Sequence, residues 1–236
     1  MNITRWTSQR VSTISNCLFL VAALALSSGC STRNQMALKD KSQRIEASQD
    51  ALAILMLTTT NEVKPTWSPI PLKISVDSQQ ANGATKRLEF SMGPQWNEIK
   101  AQSGVYIISL KLPPGEYLLR EIKGVSEKSM ALVSGRFTIP LYAKCKLNPG
   151  QIVYLGRINA VNRKRINEQE LRAGPLLPLI DQASTGYSGG TFDIEFIDKY
   201  EDDMILLKRK FPLLEGRTIE KTILPQWTRP AGDDKR

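Results

Sequence analysis

Short apolar runs bounded by turn residues follow one another at intervals of about ten positions between residues 51 and 197, and this spacing constrains the fold most. Such runs predict β-strands, and their regular succession is typical of a sandwich or a barrel rather than of alternating helices and strands. We predict a mainly β protein, an antiparallel β-sandwich over residues 51–224. The predicted strands are Ala51–Leu57, Pro71–Val76, Arg87–Met92, Val105–Leu112, Tyr117–Lys123, Arg136–Leu141, Ile152–Ile158 and Thr191–Ile197.

One amphipathic helix is predicted after the last strand, at about residues 199–211. Asp198 is a candidate N-cap, and Glu201 stands three residues later, as in a capping box. Met204, Leu207 and Phe211 recur at helical spacing and are expected to face the sheet. Because acidic residues 201–203 begin the helix and basic residues 208–210 end it, both ends suit the helix dipole. Residues 225–236 are predicted to be a flexible tail.

The first 29 residues have the order of a secretory signal peptide. A polar stretch with Arg5 and Arg10 precedes the apolar run Cys17–Leu26, and small residues follow at positions 27–29. A bilayer-spanning helix needs about 20 apolar residues. The apolar run is shorter, so we expect no permanent transmembrane anchor from it.

The stretch Leu26-Ser27-Ser28-Gly29-Cys30 resembles the lipobox of bacterial lipoproteins, although the leucine usually found three positions before the cysteine is Ser27 here. In that family a peptidase cuts ahead of a cysteine that carries diacylglycerol on its sulfur. The resemblance implies that Cys30 is the lipidated mature N-terminus, and several acyl chains on one residue make a stable anchor. Ordinary signal cleavage near Ser28 or Gly29, which leaves a free cysteine, is the alternative.

Two expectations about location follow from the residues after Cys30. Aspartate at the next position tends to retain enteric lipoproteins in the inner membrane, whereas Ser31 implies transport to the outer membrane, with the domain facing the periplasm. Residues 30–50 are polar and charged, and they predict a tether that holds the domain clear of the membrane.

The composition excludes several classes of enzyme. The chain contains no histidine, which excludes Ser-His-Asp and Cys-His triads and histidine-based zinc sites. Gly186-Tyr-Ser188-Gly-Gly190 matches G-x-S-x-G, but a polar loop precedes it and a predicted strand follows it, the reverse of a nucleophile elbow. Consecutive carboxylates at positions 201–203 fan out on a helix and do not converge on an ion. We therefore expect no catalytic residue, no metal site and no cofactor.

Three cysteines exclude a disulfide-dense scaffold. Cys17 would leave with the signal peptide and Cys30 would be acylated, so that Cys145 remains as the one thiol of the mature chain. Alternation along residues 141–147 places Cys145 on an apolar strand face, which predicts a buried structural thiol. A reactive thiol flanked by two lysines is the alternative.

Basic residues supply the candidate contact site. Arg157 and the run Arg163-Lys164-Arg165 are expected to gather around a loop, in a chain with a formal net charge of +9. An envelope offers anionic lipid headgroups, lipopolysaccharide and peptidoglycan carboxylates as partners. Nucleic acid conflicts with a secretion signal. A solvated basic surface without a ligand is the alternative.

Exposed tryptophans would add stacking on sugar rings, and the candidates are Trp67, Trp96 and Trp227.

The turn-and-strand segments Leu112-Pro-Pro-Gly-Glu-Tyr-Leu-Leu119 and Leu147-Asn-Pro-Gly-Gln-Ile-Val-Tyr-Leu155, with the helix ending at Phe211-Pro212, resemble a group of uncharacterised bacterial envelope lipoproteins. Their domain resembles a prealbumin-like or carboxypeptidase-regulatory-like β-sandwich. The resemblance covers roughly residues 100–215 and brings no catalytic residue. It implies a lipid-anchored, non-catalytic envelope protein that binds or scaffolds another envelope component. A module binding peptidoglycan or lipopolysaccharide through the basic loop and tryptophans is the alternative.

Overall fold

Two β-sheets pack face to face in the computed structural model, which describes residues 34–38, 49–79, 83–92, 100–102, 104–127, 134–176 and 182–230. The first sheet has the strand order β1-β4-β3-β7-β8, and the second has the order β10-β9-β2-β6-β5, with β11 pairing with β9. The strands are β1 (Asn34–Gln35), β2 (Ala51–Asn61), β3 (Ser68–Gln79), β4 (Thr85–Ser91), β5 (Lys100–Gln102), β6 (Val105–Leu112), β7 (Gly115–Glu127), β8 (Gly135–Leu147), β9 (Ile152–Lys164), β10 (Gly190–Ile197) and β11 (Glu220–Lys221).

The predicted β-sandwich is confirmed, and each of the eight predicted strands is present. Most strands are longer than predicted, because polar residues at their ends, such as Ser78 on β3 and Asn159 on β9, continue the ladder. The second sheet is mixed rather than purely antiparallel. Its central strands β2 and β9 run parallel, with Leu52 opposite Ile152.

Strand β2 is buried on both faces, which explains its continuous apolar sequence Ala51–Leu57. Its odd-numbered residues, such as Leu55, contribute to the core between the sheets. Its even-numbered residues, such as Ile54 and Met56, contribute to a second apolar cluster with Leu207. The second sheet is therefore the middle layer of three, between the first sheet and the helix.

The helix, α1, spans Tyr200–Lys210. Met204, Leu207 and Phe211 are buried against the second sheet, as their spacing predicts. The predicted capping box is wrong. Lys199 occupies the N-cap position without a side-chain cap, and the Asp198 carboxylate accepts a hydrogen bond from the backbone N–H of Tyr200 at 3.1 Å. Within the described ranges, no helix is long and apolar enough to cross a membrane.

The N-terminal strap, residues 34–38, lies on the sandwich and contradicts the predicted tether over this part of 30–50. Its first two residues form β1, parallel to the end of β4. Met36 and Leu38 are 3% and 2% exposed, and the backbone N–H of Ala37 donates to the carbonyl of Ser109 at 2.8 Å. The strap thus joins the β4 edge of one sheet to the β6 edge of the other. The polar neighbours of Met36 and Leu38 suggested solvent, but these two apolar side chains decide the packing.

The C-terminal strap, residues 220–229, covers the opposite side and corrects the predicted start of the flexible tail. The indole N–H of Trp227 donates to the carbonyl of Pro140 on β8 at 2.9 Å. The guanidinium of Arg229 donates to the hydroxyl of Thr191 on β10 at 2.8 Å. These contacts fix residues that the sequence assigned to the tail because of their polar, proline-containing composition. Residues 231–236 lie outside the described part of the chain. Both straps cover sheet edges that would otherwise be open to pairing.

Candidate functional site

The predicted basic site divides into two separate charge clusters on β9. Arg157 lies near the middle of the strand, whereas Arg163 and Lys164 lie at its end and Arg165 follows it. Arg163 is six residue steps after Arg157 along the strand, or about 20 Å. The four residues therefore do not converge on one ligand.

The Arg163 cluster is a charge-balanced network of two arginines and two carboxylates. The Arg163 guanidinium donates to both carboxylate oxygens of Glu170, at 2.6 and 2.9 Å, and to Asp193 at 2.7 Å. Arg229 from the C-terminal strap also donates to Asp193 and lies 3.9 Å from the Glu170 carboxylate. Because two positive groups meet two negative groups, this end of β9 attracts polyanions less than its sequence suggests.

The loop after β9 is held by its own hydrogen bonds. Arg165 donates to the carbonyl oxygens of Glu168 and Glu170, at 2.5 and 2.8 Å. The side-chain oxygen of Asn167 accepts from the backbone N–H groups of residues 169 and 170, each at 3.1 Å. Ile166 consequently stands 78% exposed on a fixed loop, beside the exposed Lys164. Of the four predicted contact residues, Lys164 is exposed and the other three are half-buried.

The Arg163 hydrogen bonds hold the pKa of the buried Glu170 carboxyl at about 2, well below its usual range. The hydrogen bond from the Ile166 N–H, at 2.9 Å, acts in the same direction. Glu170 is 6% exposed, so its charge requires these partners. The Arg163 pKa is raised by the same pairing.

The network predicts a loss of stability in acid. Folding lowers the pKa of this carboxyl, so its charged form stabilises the folded state. The contribution is complete above the pKa of glutamate in the unfolded chain, about 4.3, and it is lost as the pH falls towards the pKa in the folded protein. We expect Glu170→Gln to lower the free energy of unfolding at pH 7 by about 2–3 kcal/mol, with the gap to wild type closing between about pH 5 and pH 2. Urea denaturation across this range measures it. The exposed Glu168→Gln is the control, and a gap that stays constant with pH would contradict the assignment.

Arg157 belongs to a buried cluster with Tyr154 and Asp203, which ties α1 to the second sheet. Asp203 is fully buried and accepts from the Tyr154 hydroxyl at 2.5 Å and from the Arg157 guanidinium. Tyr154 and Arg157 are three residues apart, and a regular strand would direct them to opposite faces. A bulge places Leu155 and Gly156 opposite Leu55 alone, which returns Arg157 to the helix side.

The bulge depends on Gly156, whose φ of 109° is a value that residues with side chains rarely adopt. Burial, together with the hydrogen bond to Asp203, raises the Tyr154 pKa above its ordinary value. The Asp203 carboxylate raises the pKa of Arg157. Both groups therefore keep the protons that they share with Asp203 to a higher pH than an ordinary tyrosine or arginine does. This cluster binds α1 to the second sheet, and Arg157 is therefore not available to an external anion.

Asp203 was missed as a structural residue because its two acidic neighbours suggested a solvated helix start. The signal was nevertheless present. Asp203 shares the helix stripe of Tyr200, Met204 and Leu207, so an acidic residue interrupts an otherwise apolar face. Such an interruption predicts a buried partner of opposite charge.

The G-x-S-x-G segment has no nucleophile geometry. Ser188 is 7% exposed and lies between a 3-10 turn, Gln182–Thr185, and strand β10. Its carbonyl accepts from the Arg172 guanidinium at 2.8 Å. Tyr187 is fully buried and packs against Phe137, with ring centroids 5.4 Å apart. The segment closes the end of the sandwich.

The tryptophans do not form a stacking platform in the described structure. Trp67 is 8% exposed and is therefore buried. Trp227 is half-buried, and the Arg229 guanidinium lies 5.1 Å from the centre of its ring. Trp96 lies outside the described residues.

Cys145 is half-buried beside the core, and burial raises the pKa of its thiol to about 11. This agrees with a structural thiol more than with a reactive one, since the thiolate is the reactive form. Among the described residues, no cluster of three or more cysteine, aspartate and glutamate side chains could hold a metal ion. Cys30, the predicted lipidation site, lies outside the described ranges.

A scan against protein-family models matches none of them. A search of curated proteins likewise gives no match.

Proposed function

We propose that this protein is a lipid-anchored component of the bacterial cell envelope that binds or scaffolds another envelope component without catalysing a reaction. The anchor would be Cys30, and the outer membrane facing the periplasm is the expected location. The observation that carries the proposal is the position of the fold relative to the lipobox-like sequence. Every described strand lies after Cys30, beginning at Asn34, so cleavage ahead of Cys30 retains the whole described sandwich.

The condition of the candidate sites favours binding over catalysis. The serine of the G-x-S-x-G segment is buried, and the sequence has no histidine to activate it. The arginines of the basic site donate hydrogen bonds to carboxylates and carbonyl groups of the protein itself. The described surface instead offers the fixed loop with the exposed Ile166 as a contact for a protein partner. A rigid loop that presents an apolar side chain loses little conformational entropy on binding.

The alternative function, binding of peptidoglycan or lipopolysaccharide, depended on the basic loop and exposed tryptophans. Of the four basic residues, only Lys164 is exposed, and Trp67 is buried. No specific observation in the described structure favours this alternative, and we do not propose it.

Acylation of Cys30 is the decisive test. We expect the mature N-terminal peptide from bacterial cells to begin at Cys30 and to carry the mass of its acyl chains, and the protein to fractionate with membranes. The Cys30→Ser variant should lose both properties. Cys17→Ser is the matched control, since this cysteine lies inside the predicted signal peptide and should leave processing unchanged. Mature protein that begins elsewhere, or wild type and Cys30→Ser that behave alike, would overturn the proposal.

The binding role has its own readout. A photo-crosslinking residue at position 166 should capture one defined envelope protein in intact cells, whereas the same residue at the exposed position 208 on α1 should not. Equal patterns from both positions would contradict a specific contact at the loop.

A further inference from the structure

The N-terminal strap leaves almost no free chain between the proposed anchor and the sandwich. Asn34 is already paired with Phe90 on β4. The four residue steps from Cys30 to Asn34 can span at most about 14 Å when fully extended. An anchor on Cys30 would therefore keep the membrane surface close to the β4 edge, because four residue steps are too short to serve as the predicted tether.

The strand register identifies the end of the first sheet that lies on the Asn34 side of β1. Because β1 runs parallel to β4, Asn34 is the residue of β1 nearer to the end of the sheet where β4 begins. Lys86 is four residues before Phe90 on β4, or about 13 Å. Lys86 lies opposite Ser78, Ser78 opposite Tyr117, and Tyr117 opposite Cys145. This row defines the anchor-side rim of the first sheet.

The anchor-side rim carries exposed lysines. Lys86, Lys144 and Lys146 are exposed, and none of them forms an ion pair with another residue in the part of the chain that the structure describes. Glu116 is the carboxylate opposite Lys146. Lys111, at the same end of the second sheet, is 54% exposed and 3.9 Å from Asp50. The opposite end of the sandwich, with Lys164, is a strand length away, since the 13 residues of β9 span about 40 Å.

From these observations we propose that the anchor-side rim, through Lys86, Lys144 and Lys146, docks the domain on the phosphate groups of anionic phospholipids in the leaflet that holds the anchor. The inference rests on acylation of Cys30, because the short connection brings the rim to the membrane. Each lysine near an anionic surface raises association about five-fold, and the contribution decreases with salt. The loop with Ile166 then points away from the membrane, towards a partner.

Lysine footprinting of the full acylated protein tests the docking. The mature protein is reconstituted in vesicles that contain phosphatidylglycerol and treated with a membrane-impermeant reagent that modifies amines. Mass spectrometry then measures the extent of modification of each lysine, and the same protein in detergent is the reference. We expect Lys86, Lys144 and Lys146 to become several-fold less reactive on the vesicles. The exposed Lys64 and Lys164 should keep their reactivity. High salt, or phosphatidylcholine alone, should reduce the protection.

Two matched variants separate electrostatic docking from simple proximity. The rim variant is Lys86→Gln, Lys144→Gln and Lys146→Gln, and its control is Lys64→Gln, Lys164→Gln and Lys208→Gln. Each removes three positive charges from exposed positions. Protection of Lys111 should be lost in the rim variant and kept in the control.

The outcomes distinguish the two proposals. An N-terminal peptide without acyl mass overturns the lipid anchor itself. An acylated protein whose rim lysines react as they do in detergent, or whose Lys64 and Lys164 are protected instead, overturns the docking and leaves the anchor intact. Protection that is equal on phosphatidylcholine and phosphatidylglycerol also overturns it, because the surface would then be covered without recognition of anionic lipid.

Discussion

Replacing Asp203 by leucine should lower the free energy of unfolding by about 3–5 kcal/mol, because the change leaves a half-buried guanidinium without its counter-charge. The hydroxyl of Tyr154 loses its acceptor in the same substitution. Urea denaturation followed by circular dichroism measures the effect. We expect the helix and the second sheet to separate at lower denaturant concentration than in wild type.

The neighbouring Asp202→Leu is the control, since its side chain is 69% exposed on the same helical turn. It should change the free energy of unfolding by less than about 0.5 kcal/mol. The triple variant Tyr154→Phe, Arg157→Met and Asp203→Leu should regain most of the lost stability, because an apolar cluster replaces the whole charged one. If the triple variant were less stable than Asp203→Leu, the cost would come from lost packing rather than from an unpaired charge.

Gly124→Ala should be nearly as damaging, at about 3 kcal/mol, for a steric reason. A Cβ at this position would lie 2.3 Å from the carbonyl oxygen of Ile70 and 2.3 Å from the ring of Phe137. The first contact is backbone of β3, and the second is a fully packed core side chain on β8. Neither can move without opening the first sheet.

Gly189→Ala controls for the loss of glycine itself, because a Cβ there would meet no atom within 4 Å. It should be neutral to slightly stabilising, since alanine restricts the unfolded chain. Thermal or urea unfolding of both variants gives the comparison. A small effect at Gly124 would show that β3 and β8 yield more easily than their close packing against Gly124 implies.

The fold was predictable wherever a strand buries one or both faces. The strands β2, β6 and β9 contain long apolar or alternating runs, and the sequence alone locates each of them. The short strands β1, β5 and β11 were not predicted. Each has two or three residues and exists because a longer neighbour offers unpaired backbone groups, and this is a property of the assembled sheet.

The candidate site was less predictable, because the sequence shows charges but not their partners. The run at residues 163–165 indicates a positive surface, yet its neutralising groups Glu170 and Asp193 come from a later loop and strand. Arg229 joins them from the C-terminal strap. Only the tertiary structure brings these segments together. By contrast, the placement of Met204 and Leu207 on the sheet follows from helical spacing alone and was predicted.

The parallel pairing of β2 with β9 has a consequence for the order in which this chain can fold. Strand β2 is made early but lies between β6 and β9, and Leu52 pairs with Ile152, one hundred residues later. A sheet whose middle strand waits for such distant partners has a high contact order and folds slowly. One side of its most apolar strand therefore stays unpaired until β9 is available, although β6 can pair with the other side earlier. In the secretion that we propose for this chain, the delay would keep the polypeptide unfolded until translocation has delivered the second half of the sandwich.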